Sequence, residues 1–62
     1  MTTVNVKGMH CAHCDMLVTM ELEDRGAHDV KADHETGVVT FEGELTPEQV
    51  KEAVEAAGFS VA

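Results

Sequence analysis

Basic and aromatic residues are scarce in this chain. Four Lys and Arg residues stand against twelve Asp and Glu residues, which gives a formal net charge of −8. There is no Trp or Tyr, and the only Phe residues are Phe41 and Phe59. Nucleic-acid binding depends on clustered Lys and Arg and on aromatic side chains that stack on bases. The composition therefore argues against a nucleic-acid partner.

Long apolar segments are also absent. No apolar run approaches the roughly 20 residues of a membrane-spanning helix, and residues 1–4 lack the basic and apolar regions of a secretory signal. We therefore expect no membrane insertion and a cytoplasmic location. Met1 at the start and a full set of predicted elements by Ala62 lead us to expect an independent protein. In a reducing compartment both cysteines stay thiols, available for metal or redox chemistry.

The length and hydrophobic content are those of one small folded domain. The chain has 62 residues, of which 44% are hydrophobic, and a domain of this size buries about 60% of the surface that its unfolded chain exposes. We expect a single domain over residues 1–62, of modest stability, that folds without metal. The acidic surface fits two explanations, solubility in high salt or electrostatic steering toward a basic partner. Charge alone does not choose between them.

A strand and a helix are predicted in the first half of the chain. Val4 and Val6 alternate with polar side chains, as a half-buried strand requires. Residues 12–25 then contain neither Gly nor Pro, and Gly26 follows as a helix terminator. A helix there carries apolar side chains at four-residue steps on one face. The side chains on that face are Cys14, Val18 and Leu22.

A hairpin is predicted next. Val30 and Ala32 alternate with polar residues, residues 35–37 have the composition of a turn, and Val39 and Phe41 alternate again. Two adjacent antiparallel strands follow from this pattern.

The second helix has the clearest start signal in the chain. Thr46 is the predicted N-cap, Pro47 takes the first helical position, and Gln49 completes a capping box. Gly58 ends this helix, and residues 59–61 predict a short last strand. The order β-α-β-β-α-β predicts an α+β fold of the ferredoxin-like class, with four antiparallel strands in one sheet and two helices on one face.

Both cysteines lie where the first predicted strand gives way to the first helix. At a helix start, unpaired backbone N–H groups and the helix dipole favour the thiolate form of Cys11 and Cys14. Thiolates select Cu(I), and a two-sulfur site leaves the ion open to a partner's thiols, whereas structural zinc sites need four ligands. The spacing predicts a metal site at this pair, with Cu(I) favoured and Zn(II) as the alternative. A pair of inert buried thiols is the competing interpretation.

These residues and the order of elements resemble the heavy-metal-associated domain family, which includes copper chaperones and the N-terminal metal-binding domains of copper-transporting P-type ATPases. The resemblance covers essentially the whole chain and centres on Gly8-Met9-x-Cys11-x-x-Cys14. Further similar segments are residues 26–32, 36–41 and 57–59. The resemblance implies that Cys11 and Cys14 bind Cu(I), that Met9 packs beneath the loop, and that Phe59 lies near the metal.

The first predicted helix departs from the family pattern at two positions. Glu21 and Arg25 stand where family members usually carry small or apolar residues, so we expect different packing there. His10 stands where zinc-transporting relatives tend to carry Asp, which favours copper by the same resemblance.

The histidines leave two interpretations open. Imidazole binds zinc as well as copper, so His10 or His13 is a candidate third ligand for Zn(II) or for a second copper. Adjacent residues of an extended loop point apart, however, so His10 and Cys11 should not face one ion. On that view both histidines face solvent and tune the charge of the loop. His28 and His34 are isolated in sequence and are interpreted as surface or edge histidines.

Two methionines of the first helix also have two explanations. A helical wheel centred on Val18 places Met16 and Met20 on the opposite face, which predicts their exposure. In one explanation the helix is rotated so that Leu17 and Met20 are partly buried and compensate for Glu21. In the other, the exposed methionines form a soft docking patch beside the metal loop.

The leading hypothesis is a soluble copper chaperone that is not an enzyme. It would hold Cu(I) between Cys11 and Cys14 and pass it by thiolate exchange to a copper-transporting P-type ATPase domain or a copper-responsive regulator, as a monomer or a metal-bridged dimer. One alternative is a domain of the same fold that carries Zn(II), Cd(II) or Hg(II). Another is a thiol-disulfide oxidoreductase with Cys11 as nucleophile and Cys14 as resolving thiol.

Overall fold

Six regular elements make up the fold. The computed structural model describes residues 1–62. The elements follow one another as β1 (Thr2–Lys7), α1 (Ala12–Asp24), β2 (His28–Asp33), β3 (Val38–Glu42), α2 (Pro47–Ala56) and β4 (Ser60–Val61). This order confirms the predicted β-α-β-β-α-β arrangement and the ferredoxin-like fold class. Neither helix combines the length and the apolar composition needed to span a bilayer.

The four strands form one antiparallel sheet in the order β2-β3-β1-β4. Asn5 of β1 lies opposite Val38 at the start of β3, and Lys7 lies opposite Ser60 at the start of β4. The N–H of Val6 donates to the carbonyl of Gly37 at 2.7 Å. The end of β1, the turn between β2 and β3, and the segment before β4 therefore meet at one edge of the molecule.

One hydrophobic core lies between the sheet and the two helices, which pack on one face. The predicted apolar face of α1 is confirmed, since Cys14 is 6% exposed and Val18 and Leu22 are fully buried. Eleven buried residues make up this core, all of them hydrophobic. The largest fully buried side chains are Phe41, Leu22, Val18, Val39 and Val54.

The two helices begin in different ways. At α2 the Gln49 N–H donates to the Thr46 hydroxyl at 3.1 Å and the Thr46 N–H donates to the Gln49 side chain at 2.9 Å, with Pro47 at the first helical position. This capping box is the predicted one. The N-cap of α1 is Cys11, whose side chain makes no capping hydrogen bond. The start of α1 thus lacks a side-chain cap, and the Cys11 carbonyl accepts hydrogen bonds from the Cys14 and Asp15 N–H groups at 3.0 and 3.3 Å.

Two element boundaries differ slightly from the sequence prediction. Helix α1 ends at Asp24, because Arg25 leaves helical geometry as the C-cap. Strand β4 is Ser60–Val61, so Phe59 precedes it and belongs to the connecting segment. Glu21 and Arg25 form an ion pair at 2.9 Å, both half-buried. This pairing explains how α1 carries polar residues at positions that are usually small or apolar in the family that the sequence resembles.

Candidate metal site

The first two residues of the loop between β1 and α1, Gly8 and Met9, pack against the rest of the fold. Gly8 has a φ of +103°, a conformation that side chains rarely adopt, and a Cβ placed on it would lie 3.0 Å from the Phe59 ring. Met9 is 8% exposed and belongs to the core. The expectation that Met9 packs beneath the loop is thereby confirmed. Phe59 lies against the start of the loop at Gly8, and its nearness to a bound metal stays a prediction.

The two cysteine sulfurs lie side by side. Cys11 Sγ and Cys14 Sγ are 3.4 Å apart, and both residues are free thiols. Cys11 is exposed on the loop, in extended geometry as the N-cap, whereas Cys14 is buried in the first turn of α1. The pair therefore has one accessible sulfur and one sheltered sulfur.

The sulfur spacing is close to what a shared metal ion needs. With metal–sulfur bonds of about 2.3 Å, two sulfurs lie ~3.8 Å apart in a tetrahedral site and ~4.6 Å apart in a linear one. The observed 3.4 Å is shorter than both. Opening the pair by about 0.4 to 1.2 Å suffices for either geometry. Cys11 is the sulfur that is free to move, because it lies outside the helix and the core.

The electrostatic surroundings favour the thiolate of Cys11. Its pKa is lowered from the ordinary value of 9.0, first by the Cys14 backbone N–H and then by the hydrogen bond with the Cys14 thiol. The His13 N–H and the charge of His34 act in the same direction, while desolvation opposes them. The Cys14 N–H makes its hydrogen bond to the Cys11 carbonyl, at 3.0 Å, so it acts on the sulfur as a nearby dipole. This is the effect that the helix-start position predicts.

His34, which the sequence predicts to be an ordinary surface or edge histidine, lies close to this site. His34 Nδ1 donates to Asp15 Oδ2 at 2.7 Å, with the two side chains 30% and 20% exposed. Asp15 follows Cys14 in the first turn of α1, so the contact joins the turn between β2 and β3 to the start of the helix. The hydrogen bond to Asp15 raises the pKa of His34 above its ordinary 6.5. His34 is therefore a partly exposed histidine that ligates nothing, as expected, but its hydrogen bond to Asp15 is a contact that the sequence does not predict.

The other histidines are at the surface. His10 and His13 are exposed, and His10 Nδ1 donates to the Gly8 carbonyl at 2.7 Å, so that nitrogen carries the proton. His28 is 66% exposed and contacts only its neighbour Asp29, as expected of a surface histidine. No three His, Cys, Asp or Glu side chains converge on one point where they could hold a metal ion. The structure therefore does not bring His10 or His13 to the sulfurs as a third ligand.

The exposure of the methionines distinguishes the two accounts of α1. Met16 and Met20 are 59% and 60% exposed, as the helical wheel predicts. The rotated-helix explanation is correct for Leu17, which is half-buried, but wrong for Met20. Glu21 needs no hydrophobic compensation because Arg25 pairs with it.

Asp15 is the one residue near the site that the sequence reasoning missed entirely. Its second oxygen, Oδ1, is buried without a hydrogen-bond partner. Its position directly after Cys14 was visible in the sequence, but its partner is 19 residues away. Only the antiparallel register, which brings the turn after β2 beside the metal loop, identifies the pair.

Comparisons with known proteins identify the family of this chain. The model of the heavy-metal-associated domain matches residues 3–60. The chain is 39% identical over 59 residues to a mercuric reductase of Staphylococcus aureus, a match that covers 90% of this chain and 10% of that protein. The chain thus spans about a tenth of the length of this curated relative.

Solved structures of copper proteins share the fold. The copper chaperone Atx1 from Synechocystis PCC6803 superposes with a TM-score of 0.90 at 26% identity, over all of both chains. A copper-binding domain from HMA7, a P-type ATPase, superposes with a TM-score of 0.86 at 26% identity, over 97% of this chain and 86% of the other. The family match, the fold and the paired sulfurs at the start of α1 lead to one conclusion: the chain belongs to the heavy-metal-associated domain family.

Proposed function

We propose that this protein is a metallochaperone that carries Cu(I) between Cys11 and Cys14. The observation that supports this most directly is the pair of sulfurs 3.4 Å apart at the start of α1, with no third metal-binding side chain converging on them. Two soft thiolates select Cu(I) over hard divalent ions. A site without further protein ligands leaves the ion accessible to a partner.

Delivery follows from the difference in exposure between the two sulfurs. A thiolate of the partner approaches on the open side and forms a new sulfur–copper bond while Cys14 keeps its own. The bond to Cys11 then breaks, since this exposed sulfur is free to leave as a thiolate and its pKa is lowered. A second partner thiolate replaces Cys14 in the same way. Copper stays in the +1 state throughout, so no electron donor or acceptor is needed.

The partner that we propose is a copper-binding domain of a P-type ATPase or a copper-responsive regulator with paired cysteines. The similarity to the HMA7 domain supports this choice, because two domains of one fold can present their sulfurs to a shared ion symmetrically. The net charge of −8 favours a partner with a basic surface. A cytoplasmic location and a monomeric state, with a metal-bridged dimer as the alternative, complete the proposal. The docking interpretation of Met16 and Met20 stays a prediction.

Competition titration tests the proposal. The reduced protein is titrated with Cu(I) and, separately, with Zn(II) against chelators of known affinity. We expect a marked preference for Cu(I), and a loss for Cys11→Ser or Cys14→Ser larger than the 10–100-fold that removal of an outer hydrogen-bond partner causes. His10→Ala and His13→Ala serve as matched controls beside the site and should leave both affinities unchanged. Equal affinity for the two ions, or full affinity after loss of one sulfur, would contradict the proposal.

Transfer to the partner is tested by its salt dependence. Electrostatic steering raises the association rate and weakens as ionic strength rises. We therefore expect Cu(I) transfer to a basic acceptor domain to slow as salt is added. A transfer rate that does not depend on ionic strength would contradict electrostatic steering. It would not contradict the proposed metal site.

Hg(II) carriage is the second candidate function. The specific observation in its favour is the 39% identity to a segment of a mercuric reductase. Hg(II) is also a soft ion that paired thiolates bind, so affinity alone does not separate the candidates. The separating measurement is delivery: the Cu(I)-loaded protein to a copper ATPase domain, and the Hg(II)-loaded protein to a mercuric reductase. Transfer of Hg(II) to the mercuric reductase without transfer of Cu(I) to the ATPase domain would show that the cargo is mercury.

The chain shares its fold and family with metallochaperones, which are not enzymes. One observation favours the oxidoreductase alternative: the Cys11 thiol is exposed and has a lowered pKa, and it lies beside the buried Cys14. Disulfide reductase turnover by the metal-free protein would support that alternative. We expect none above the rate of a free dithiol.

A further inference from the structure

Two thioethers stand exposed on the outer face of α1. Met16 and Met20 are 59% and 60% exposed, although methionine is usually among the more buried residues. They are four residues apart, so their Cβ atoms lie about 5–6 Å from each other on one face of the helix. The face that packs in the core, which contains Cys14, Val18 and Leu22, is a different one. The two thioethers therefore form a pair that the core does not use.

Both methionines line a groove between α1 and β2. The groove has a volume of about 600 Å³, and its other walls include Asp15 and Thr19 of α1 and Lys31 and Asp33 of β2. Within this lining Asp15 is hydrogen-bonded to His34, and Asp33 and Lys31 carry opposite charges, so the attraction for a cation comes from the formal charge of −8 on the chain as a whole. The surroundings of the thioethers are therefore open enough for an ion and electrostatically favourable to a cation.

The chemistry of the thioether determines which cation fits. Methionine sulfur is a soft, uncharged ligand that suits Cu(I), in contrast to the oxygen ligands that suit Mg²⁺ and Ca²⁺. It carries no proton to lose, so it binds without the deprotonation that a thiol requires. The three rotatable bonds of each side chain let the two sulfurs converge from adjacent helical turns. Without a thiolate charge, such a pair binds more weakly than the two cysteines.

We propose that Met16 and Met20 together form a second, weaker site for a soft monovalent ion, Cu(I) or Ag(I), on the outer face of α1. The site does not depend on the proposed function, because the thioethers bind such an ion whether or not Cys11 and Cys14 do. It gives the protein a capacity of two ions in place of one. The first ion occupies the cysteines, and the second occupies the methionine pair.

Methyl NMR of the protein labelled with ¹³C at the methionine methyl groups tests the site. Ag(I) is the probe, since it is soft, monovalent and stable to air. In the unsubstituted protein, we expect the first equivalent to leave the Met16 and Met20 methyl signals in place and the second equivalent to shift both. In a Cys11→Ser/Cys14→Ser variant, the first equivalent should shift both signals. Met1, which is 87% exposed, is the internal control for a lone thioether and should not move.

Single substitutions test whether the two residues act as a pair. Met16→Leu and Met20→Leu keep side-chain volume and helix propensity. Each is expected to lower the affinity for the second ion by roughly 10²-fold, because the gain from two linked ligands is lost. The proposal is overturned if the remaining methionine responds as in the unsubstituted protein, if Met1 shifts in parallel, or if neither signal moves at several equivalents. If the cysteines do not bind the ion, the first equivalent shifts the Met16 and Met20 signals already in the unsubstituted protein. Failure of the proposed function is thereby distinguished from failure of the methionine site.

Discussion

His34 donates a hydrogen bond from Nδ1 to Asp15 Oδ2 across 2.7 Å, and this contact fastens the turn between β2 and β3 to the first turn of α1. Asp15 directly follows Cys14 in the chain. The hydrogen bond between His34 and Asp15 therefore lies beside the metal loop, although it involves neither cysteine. The pKa of His34 is raised chiefly by this bond, against the opposing effect of desolvation. The protonated histidine therefore stabilises the arrangement of the two segments that flank the metal loop.

The His34 contact predicts a pH dependence of stability. A histidine whose folded pKa is raised above its unfolded value contributes stability that is fully present below the unfolded pKa and is lost as pH rises through the folded pKa. The unfolded value is the ordinary 6.5. We therefore expect the stability difference between the unsubstituted protein and His34→Gln to shrink as pH rises above 6.5, measured by urea unfolding. His28→Gln, at an exposed contact with Asp29, is the matched control for the loss of a histidine at the surface. A His34 difference that is constant from pH 5.5 to 8.5 would exclude this linkage.

The packing of Gly8 against Phe59 predicts a difference between two glycine substitutions. Gly8 and Gly26 have nearly the same φ, +103° and +105°, but a Cβ on Gly26 meets nothing within 4 Å. Each change to Ala should cost about 1–2 kcal/mol in unfolding free energy from backbone strain. Gly8→Ala should cost more, because its Cβ would also displace the Phe59 ring.

A double-mutant cycle isolates that extra cost. In a Phe59→Ala background, Gly8→Ala is expected to cost the same as Gly26→Ala, as determined by urea unfolding. If the excess for Gly8 persists without the ring, the contact with Phe59 is not its cause.

The two cysteines should differ in their reaction with iodoacetamide. Cys11 is exposed and its pKa is lowered, whereas Cys14 is buried, so mass spectrometry should detect alkylation at Cys11 first. The pH profile of the Cys11 rate should have its midpoint below 9.0. Cys14→Ala should move this midpoint upward, because the hydrogen bond from the Cys14 thiol is lost, while Cys14→Ser keeps a donor. Equal rates at the two positions would show that the loop does not distinguish them.

The core face of α1 predicts graded losses of stability. Leu22 is fully buried, so Leu22→Ala should lower the free energy of unfolding by about 2–5 kcal/mol, while Leu22→Met, which conserves volume, should cost less than about 1.5 kcal/mol. Leu17→Ala, at a half-buried position, is the comparison within the same helix and should cost less than Leu22→Ala. Urea denaturation measures all three. Because the domain is small, Leu22→Met keeps the test informative if Leu22→Ala fails to fold.

Local patterns predicted those parts of the fold that depend on neighbouring residues. The capping box of Thr46 and Gln49 formed as expected because its two hydrogen bonds join residues three apart in the chain. The buried face of α1 followed from four-residue spacing for the same reason. The helical spacing left the burial of Met20 open between two explanations, and the structure decides it because Glu21 pairs with Arg25 and needs no apolar neighbour.

The sequence by itself determined the order of strands and helices, the buried faces, and the placement of Cys11 and Cys14 at the start of a helix. These features depend on alternation, helical periodicity and capping, which act over a few residues. Tertiary structure alone decided that His34 reaches Asp15 and that Phe59 packs on Gly8. Such contacts depend on the register of β1 with β3 and β4, which brings distant segments to one edge of the sheet.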